Sequence, residues 1–448
     1  MRIRRSISLL AVALFASAAL GGTAAMAAPP DEADATAVAH WNQVAATTLA
    51  AVPGPDGGAP PAFQINMGMT QGAVYDAVNA IGPKRYQPYL LTQRFGAKAS
   101  VDAAAATAAY EVLTALVSTA PTRAPFPGRD GLLANLSTEY AASLAGITDD
   151  AFKRQGVAAG HAAAEAMLDA RADDGRFGPS QWVPDMSPGH WWPQLNANGD
   201  QILDPTPWVG SVEPFLIESP SQFRTAPPLA LDSPEYAAEY AEVLALGSAT
   251  GSTRTADQTY IAKWWQSAPI LTWNDVARQL IDRNDLSAAE SARLLALQNL
   301  SAADSMINCW NDKYHHDFWR PWSAISRALE DGNTATDPVT GWTALITAPY
   351  PDHPSGHNCN DAAHVTILRM HFGDVIDGGF EITSFSGLLT SSEEKVRRFD
   401  SFSEPMAELI DARIWAGLHF RHADVQAQLL GVNVATYGAA HALQAVGR

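Results

Sequence analysis

Several features are scarce in this 448-residue chain, and each scarcity disfavours a class of protein. Lys and Arg number 29 against 47 Asp and Glu, so the formal net charge is −18. An acidic chain is a poor partner for nucleic acid or for an anionic membrane surface. The alternation of apolar and polar residues that is typical of strands is almost absent, which disfavours a sheet-based fold. After the N-terminal region no run of 18 apolar residues occurs, so we expect no membrane span in the mature chain.

Cysteine is also scarce, since the chain has only Cys309 and Cys359. Both lie beside segments that carry the candidate site residues described below. An exported protein can keep a disulfide, so one bridge between them is possible. Two buried thiols are the alternative, and the sequence leaves both open.

The N-terminus carries Arg2, Arg4 and Arg5, followed by an apolar run and by Ala-Met-Ala at residues 25–27. This order of a basic, an apolar and a small-residue segment is typical of a secretory signal peptide. The apolar run is short for a membrane anchor. We therefore predict a cleaved signal over residues 1–27 and a secreted or extracytoplasmic protein. The paired arginines leave both Sec and twin-arginine export open.

The rest of the chain is dominated by helical patterns. Residues 28–62 include a Gly/Pro-rich stretch and are predicted to be a flexible mature N-terminus and linker, and residues 179–210 are predicted to be a long irregular surface segment. Helical periodicity or a high alanine content recurs in five segments: 101–120, 149–175, 233–248, 287–310 and 406–420. The sequence therefore predicts one all-α domain over residues 63–448.

The first candidate site segment is "WNDKYHHDFWRP" at 310–321. Lys313 and Arg320 lie seven residues apart, which is two helical turns, or about 10 Å of rise. On a continuous helix both would point to one face, and nothing acidic is placed to neutralise both. The pair is therefore predicted to converge on an anion.

The second segment, 350–360, contains Pro-Ser-Gly-His at the start of a predicted helix. A helix N-terminus offers free backbone N–H groups and the positive end of the dipole. Gly356 allows close approach of a ligand, Ser355 adds a hydroxyl donor, and His357 adds an acid/base group. His364 and His371 lie too far along the helix to share an ion with His357 and are interpreted as packed or surface residues.

The third segment, 412–424, contains Arg413 and His419. His419, His422 and Asp424 have a spacing that a metal could use, but no His-Glu-x-x-His or cysteine pair supports a divalent metal site. With the first two segments, the inventory becomes three cations, neutral donors and two histidines. This set suits a tetrahedral or trigonal-bipyramidal oxyanion, either phosphate or its mimic vanadate.

The three segments together resemble the signature shared by vanadium-dependent haloperoxidases and type 2 phosphatidic acid phosphatases. That signature is a lysine, six residues and Arg-Pro, then Pro-Ser-Gly-His, then an arginine, five residues and a histidine, and it spans about 110 residues here. Residues 71–89, 246–265 and 318–325 are similar to blocks of the bacterial secreted haloperoxidase-like branch. The resemblance implies two four-helix-bundle-like halves, with the oxyanion site in the C-terminal half.

The resemblance also implies a role for each matching residue. His419 would be the vanadium ligand or, in a phosphatase, the nucleophile, and His357 would be the general acid/base. In the family pattern an Asp follows the histidine by four residues, but this chain has Ala423 there and Asp424 one later. Either Asp424 orients His419 after a local shift, or a different acid does. The oxyanion would be held by Lys313, Arg320, Ser355, Gly356 and Arg413.

Two chemistries remain open because vanadate and phosphate are alike in shape and charge. A haloperoxidase would take vanadate as cofactor, hydrogen peroxide, a halide and a small organic acceptor. A soluble acid phosphatase would need no cofactor and would cleave a phosphomonoester through a phosphohistidine. Trp310 and Tyr350 match aromatic positions beside the halide in the chloroperoxidase branch, so we predict the haloperoxidase. The integral lipid phosphatases are excluded by the expected lack of spans.

Overall fold

The computed structural model describes residues 35–54, 58–118, 126–178 and 182–446. In these residues the chain forms thirteen α-helices, one two-stranded antiparallel sheet and short 3-10 turns. The helices are α1 (Thr36–Ala50), α2 (Pro60–Asn79), α3 (Val101–Ser118), α4 (Arg129–Ala145), α5 (Ala151–Ala170), α6 (Pro234–Leu246), α7 (Ala256–Trp264), α8 (Pro269–Arg283), α9 (Ala288–His316), α10 (Pro321–Ser326), α11 (Gly356–Phe372), α12 (Ser403–Trp415) and α13 (Arg421–His441). The strands are β1 (Val375–Thr383) and β2 (Val396–Ser401). The prediction of an all-α fold is confirmed.

Two groups of helices meet along the contact between α2 and α9. In the N-terminal half α2, α3 and α5 pack against one another, and in the C-terminal half α9, α11 and α13 do the same. Helix α2 is buried on all sides, and α9 is 29 residues long and begins with a capping box between Ser287 and Glu290. Helices α2 and α9 thus form the centre of the molecule. The site lies at the C-terminal end of α9.

The N-terminal segment departs from the prediction. Residues 28–62 were predicted to be flexible, but 36–50 form α1, in which Trp41 and Leu49 are fully buried. Its apolar face packs on α3, α2 and α8, so the burial of Trp41 outweighs the weak local signal. Pro60 and Pro61, interpreted as linker, open α2, where proline is well tolerated. The predicted signal peptide lies outside the described residues.

The hairpin between α11 and α12 was not predicted from the sequence. Strands β1 and β2 pair with Phe380 opposite Phe399. The Phe380 ring lies 4.7 Å from the ring of Phe402, which directly precedes α12. The hairpin therefore anchors the start of α12, the helix that carries Arg413.

One described helix, α3, is long and apolar enough to meet the length and composition of a membrane span, with a mean hydropathy of 1.2. Two thirds of that stretch, 67%, is buried inside the protein. Core helices pass the same test, so this is weak evidence for a span.

Candidate active site

The three sequence segments meet at one end of the C-terminal helices. Trp310 and Lys313 lie on the last turns of α9, and Arg320 directly precedes α10. The turn 350–355 leads into α11, and Arg413 and His419 lie at the end of α12 and just before α13. Five of the candidate residues are at most 3% exposed: Lys313, Arg320, Ser355, Arg413 and His419.

The predicted helical relation of Lys313 and Arg320 is wrong. Helix α9 ends at His316 because Asp317 adopts a left-handed conformation with φ 46°, and the next helix starts at Pro321. Arg320 therefore has an extended backbone and lies between two helices. The two side chains still converge, since the bend brings the second segment back over the end of α9.

Lys313 forms hydrogen bonds to the loop that precedes α11. Its Nζ donates to the carbonyls of Pro351 at 3.0 Å, Asp352 at 3.2 Å and Pro354. Burial, to which the charge of Arg320 adds, lowers its pKa to about 8. An ammonium group has three N–H donors, so the loop carbonyls can take all of them. Lys313 thus fixes the loop that carries Ser355.

The two arginines have donors without partners. Arg320 donates through Nε to the Tyr350 carbonyl at 2.9 Å and through Nη1 to the Leu418 carbonyl at 2.8 Å, but its buried Nη2 has no partner in the part of the chain that the structure describes. Arg413 leaves both Nε and Nη1 buried and unpartnered. Burial lowers the pKa of Arg413 to about 10. A buried unpaired guanidinium donor is costly, so these groups are arranged for an anion.

Ser355 and Gly356 form the N-terminus of α11. Ser355 is the N-cap residue, yet its hydroxyl makes no capping bond to the helix backbone. Its N–H donates to the Ala423 carbonyl at 3.1 Å, which ties the turn to α13. A Cβ on Gly356 would lie 3.1 Å from a ring carbon of Trp310, so a side chain there would crowd the space in front of the helix. Glycine therefore lets the Trp310 ring pack against the start of the helix, whose first N–H groups have no partner within the helix itself.

His419 is held in one tautomer by its neighbours. Its Nε2 lies 3.2 Å from Nη1 of Arg320, and because a guanidinium can only donate, Nε2 must be the accepting nitrogen. Its Nδ1 lies 2.8 Å from Oδ1 of Asp352. Burial, followed by the charges of Arg320, Lys313 and Arg413, lowers the pKa of His419 well below its usual value. The ring is thus neutral, with the Nε2 lone pair turned toward the cations.

Asp352 is a site residue that the sequence reasoning missed. It is fully buried, and besides His419 it lies 3.9 Å from Nη1 of Arg320. Burial raises its pKa to about 7, although the charges of Arg320 and Lys313 oppose that rise. The expectation that nothing acidic would lie near both cations is therefore wrong. The signal was present, because Asp352 stands three residues before Ser355 in the second segment.

Asp424 does not take the place beside His419 that a local shift of the chain would give it. It accepts a 2.8 Å bond from Nδ2 of Asn358. Burial raises its pKa well above the usual value, and Ser355 and Arg413 oppose this rise. Of the two alternatives for the acid beside His419, the structure has the second: Asp352 contacts His419, and Asp424 supports the first turn of α11.

His357 lies at the edge of an apolar cavity. Hydrogen bonding to the Ser267 backbone favours the protonated ring, while Nε2 is buried without a partner among the described residues. Burial and the charge of Arg413 lower its pKa well below the usual value. Trp310 and Tyr350 line the same cavity with ring centroids 5.1 Å apart, and Nζ of Lys313 lies 5.6 Å and 5.2 Å from their rings.

Asp204, from the segment predicted to be irregular, accepts a 2.9 Å bond from Nε1 of Trp310 and thereby fixes the indole. Nothing in the sequence connected these two residues, which are 106 positions apart. The cysteines are two free, buried thiols, and Sγ of Cys309 donates to the Pro354 carbonyl at 3.9 Å. Within the described ranges no group of three His, Cys, Asp or Glu side chains could hold a metal ion.

An oxyanion fits this donor set. The unpartnered donors are guanidinium N–H groups of Arg320 and Arg413, and the open α11 N-terminus and the lone pair of His419 Nε2 complete the set. Planar guanidinium donors pair well with tetrahedral oxyanions. The residues present therefore fit a vanadate, whose oxygens the guanidinium donors would hold, with His419 in reach as a nitrogen ligand.

Comparison with known proteins shows what the C-terminal part of this chain is similar to. Residues 293–448, which carry all the site residues above except Asp204 and Ser267, match the family model described as the VCPO second helical-bundle domain. The resemblance of this chain to the vanadium-dependent haloperoxidases is thereby confirmed.

Three relatives illustrate the likeness. The vanadium chloroperoxidase of Curvularia inaequalis is 22% identical over 281 residues, which cover 48% of this chain and 45% of that protein, so the match spans less than half of the relative's length. The first bacterial vanadium-dependent iodoperoxidase structure has a TM-score of 0.73 at 20% identity and covers 94% of this chain and 99% of its own. A holo-type bacterial vanadium-dependent chloroperoxidase has a TM-score of 0.67 at 17% identity, over 89% and 95% of the two chains. At these identities the solved structures define the fold.

Proposed function

We propose that this protein is a vanadate-dependent haloperoxidase that oxidises a halide with hydrogen peroxide. The observation that carries the proposal is the pair of buried arginines, Arg320 and Arg413, whose guanidinium groups keep donors without a partner among the described residues, with Nη1 of Arg320 3.2 Å from Nε2 of His419. Relatives with this fold are named as vanadium chloroperoxidase and iodoperoxidase. The reaction consumes halide, hydrogen peroxide and a proton and yields hypohalous acid and water, with two electrons passing from halide to peroxide.

The cations of the site divide the work of holding the cofactor. Arg320 and Arg413 would donate to the oxygens of the bound vanadate, and the N–H groups at the start of α11 would add neutral donors. Asp352 lies 2.8 Å from Nδ1 of His419, and Nε2, which accepts from Nη1 of Arg320 in this structure, would become the ligand once Arg320 donates to the anion instead. When bound, vanadate supplies a Lewis-acidic centre that activates peroxide for attack by halide.

His357 is the residue that moves protons. Its lowered pKa leaves the ring neutral at pH 7, so its free nitrogen can take a proton from peroxide as it enters. The same ring can return a proton to the leaving oxygen. Its position beside the aromatic pair Trp310 and Tyr350 keeps the reacting groups away from bulk water.

The halide is proposed to meet the cavity at Trp310 and Tyr350. Both rings lie within 6 Å of Nζ of Lys313, so their faces are next to a positive charge while their edges line the cavity. Aromatic edges carry partial positive charge and tolerate an anion. The organic acceptor is proposed to react with hypohalous acid at or outside the cavity mouth, because the cavity itself is narrow. The N-terminal signal pattern supports export of the enzyme.

The test compares two activities in one preparation. Chelator-treated protein is titrated with vanadate, and both peroxide-dependent halide oxidation and phosphomonoester hydrolysis are measured at each concentration. Halide oxidation that rises with vanadate supports the proposal. Phosphoester hydrolysis that falls with vanadate, with no halogenation at any level, refutes it and identifies the phosphatase.

A further inference from the structure

The cavity beside His357 is small and has few polar groups. It is lined in part by Met306, Trp310, Tyr350, His357 and Asn360. Inside the cavity the centre of a water-sized molecule can occupy about 10 Å³. This is enough for one guest about as large as water. Of the reactants, only the halide and hydrogen peroxide are this small.

His357 presents a hydrogen-bond acceptor to this cavity. The backbone of Ser267 raises the pKa of the ring, which identifies a carbonyl that accepts from one ring nitrogen. The remaining nitrogen, Nε2, is buried and unpartnered. Because burial keeps the ring neutral, only one nitrogen carries a proton, so Nε2 has a free lone pair.

Asn360 presents a second acceptor, and its orientation follows from a backbone anchor. Gln64 donates through Nε2 to the Asn299 carbonyl at 3.1 Å, which fixes Oε1 as the end that faces Asn360. An acceptor there requires a donor, so Asn360 points Nδ2 at Gln64 at 3.3 Å. The Oδ1 of Asn360 then has no partner, although the residue is only 1% exposed.

The neighbouring His364 agrees with this orientation. Its Nε2 lies 2.9 Å from Oε1 of Gln64, and its pKa is lowered to about 3 by burial. A neutral His364 can donate from Nε2 to this oxygen, so the acceptor role of Oε1 is compatible with both neighbours. Asn299 is itself anchored, since its Nδ2 donates to the Leu295 carbonyl at 2.9 Å. The series of amides thus has one consistent arrangement.

We propose that Asn360, held by Gln64, is a substrate-binding residue that accepts a hydrogen bond from hydrogen peroxide, with His357 as the second acceptor. The inference rests on the proposed function for the identity of the guest. A cavity with two free acceptors and room for one small molecule selects a guest with two O–H donors. A halide ion has no donor and would be repelled by both lone pairs, so the halide is held elsewhere along the aromatic wall.

The first test is structural and needs no cofactor. Crystals of the vanadate-free protein are soaked in hydrogen peroxide, and the cavity is compared with unsoaked crystals and with Asn360→Leu. We expect two-oxygen density within hydrogen-bonding distance of Oδ1 of Asn360 and Nε2 of His357, a single water in the unsoaked crystal, and neither in the variant. A cavity that stays empty, or a guest that contacts neither atom, overturns the proposal.

The second test is kinetic and separates binding from stability. Asn360→Leu should lower kcat/KM for hydrogen peroxide by about three- to tenfold, the loss expected for one neutral hydrogen bond, and leave kcat/KM for halide within twofold. Gln64→Leu should lower it less, and the double variant should be no worse than Asn360→Leu alone, because Gln64 acts only through Asn360. Asn274→Leu, a buried amide of the same series away from the cavity, is the control for stability.

The outcomes distinguish this inference from the proposed function. If the wild-type protein oxidises no halide, the proposed function fails, and the peroxide soak still decides whether Asn360 binds a two-donor guest. If halide oxidation occurs but Asn360→Leu changes the halide and peroxide constants equally, Asn360 has only a structural role and the inference fails.

Discussion

Replacing Arg413 with methionine should stabilise the vanadate-free protein and abolish oxyanion binding. Arg413 is fully buried, two of its donors have no partner, and burial is the largest cause of its lowered pKa. For a base, a lowered pKa means that folding penalises the charged form. That cost is fully present below the folded pKa of about 10 and vanishes above the unfolded value of 12.5.

The magnitude follows from the pKa. A shift from 12.5 to about 10 corresponds to roughly 3 kcal/mol at pH 7. Methionine fills a similar volume without charge, and replacing buried charges by apolar groups is often neutral or stabilising by 1–4 kcal/mol. Asp424 opposes part of this gain, because it loses the nearby cation and its own pKa rises further. We therefore expect a net gain of about 1–3 kcal/mol.

The assay is urea denaturation with and without vanadate. Without vanadate the Arg413→Met midpoint should exceed that of the wild type. With vanadate at about 1,000 times its dissociation constant, the wild type should gain about 4.1 kcal/mol and the variant nothing, so the order is reversed. Arg171→Met is the matched control: Arg171 is also buried but pairs with Asp174 at 2.7 Å and donates to the Glu213 carbonyl at 2.7 Å.

The control should move in the opposite direction. Removing Arg171 leaves Asp174 with one cation fewer in a buried position, so the protein should lose about 2 kcal/mol or more with or without vanadate. If Arg413→Met is less stable than the wild type without vanadate, its guanidinium is satisfied in the folded protein. The site would then not be an arrangement of donors reserved for an anion.

Three further predictions concern single residues of the site and its surroundings. His419→Ala should abolish vanadate binding measured by calorimetry and halide oxidation together, whereas retained binding would show that His419 is not the ligand. Gly356→Ala should lower vanadate affinity about tenfold while the folded content by circular dichroism stays unchanged, because its Cβ would crowd Trp310 at 3.1 Å. Asp361→Asn should flatten the pH dependence of stability. Burial raises the Asp361 pKa to about 7, so the stability of the wild type should fall by up to about 4 kcal/mol as pH rises from about 4 to 7. If the denaturation midpoints of Asp361→Asn depend on pH just as those of the wild type do, this prediction is wrong.

The sequence was most informative where chemistry demands particular residue types. Arginines, a Ser-Gly turn and histidines at family spacings identified the segments around Arg320, Ser355 and His419, because these positions are defined by residue identity. Asp352 and Asp204 were missed because a single carboxylate carries no local signal. Their importance comes from contacts across the chain, at His419 and Trp310, that only the fold brings about.

Several element boundaries were not predicted, for the same physical reason. The pattern around 310–321 is equally helical before and after Asp317, and the left-handed turn there depends on tertiary contacts such as the 2.9 Å bond from Nδ1 of His190 to its carboxylate. Helix α1 and the β1–β2 hairpin are short and weakly patterned. They gain their stability from packing on α3 and α8 rather than from propensity.

The contacts of Lys313 change how the cationic pair should be understood. Three carbonyls of the loop 351–354 receive its donors, so this lysine positions the loop that ends in Ser355 before any anion arrives. Contact with an oxyanion requires one of these bonds to be exchanged, which costs little because a carbonyl partner is replaced by an anionic one. Arg320 and Arg413 instead keep free donors that only a ligand can satisfy. In the proposed function, the site therefore combines a lysine that positions the loop with two arginines that would bind the anion through donors that have no partner among the described residues.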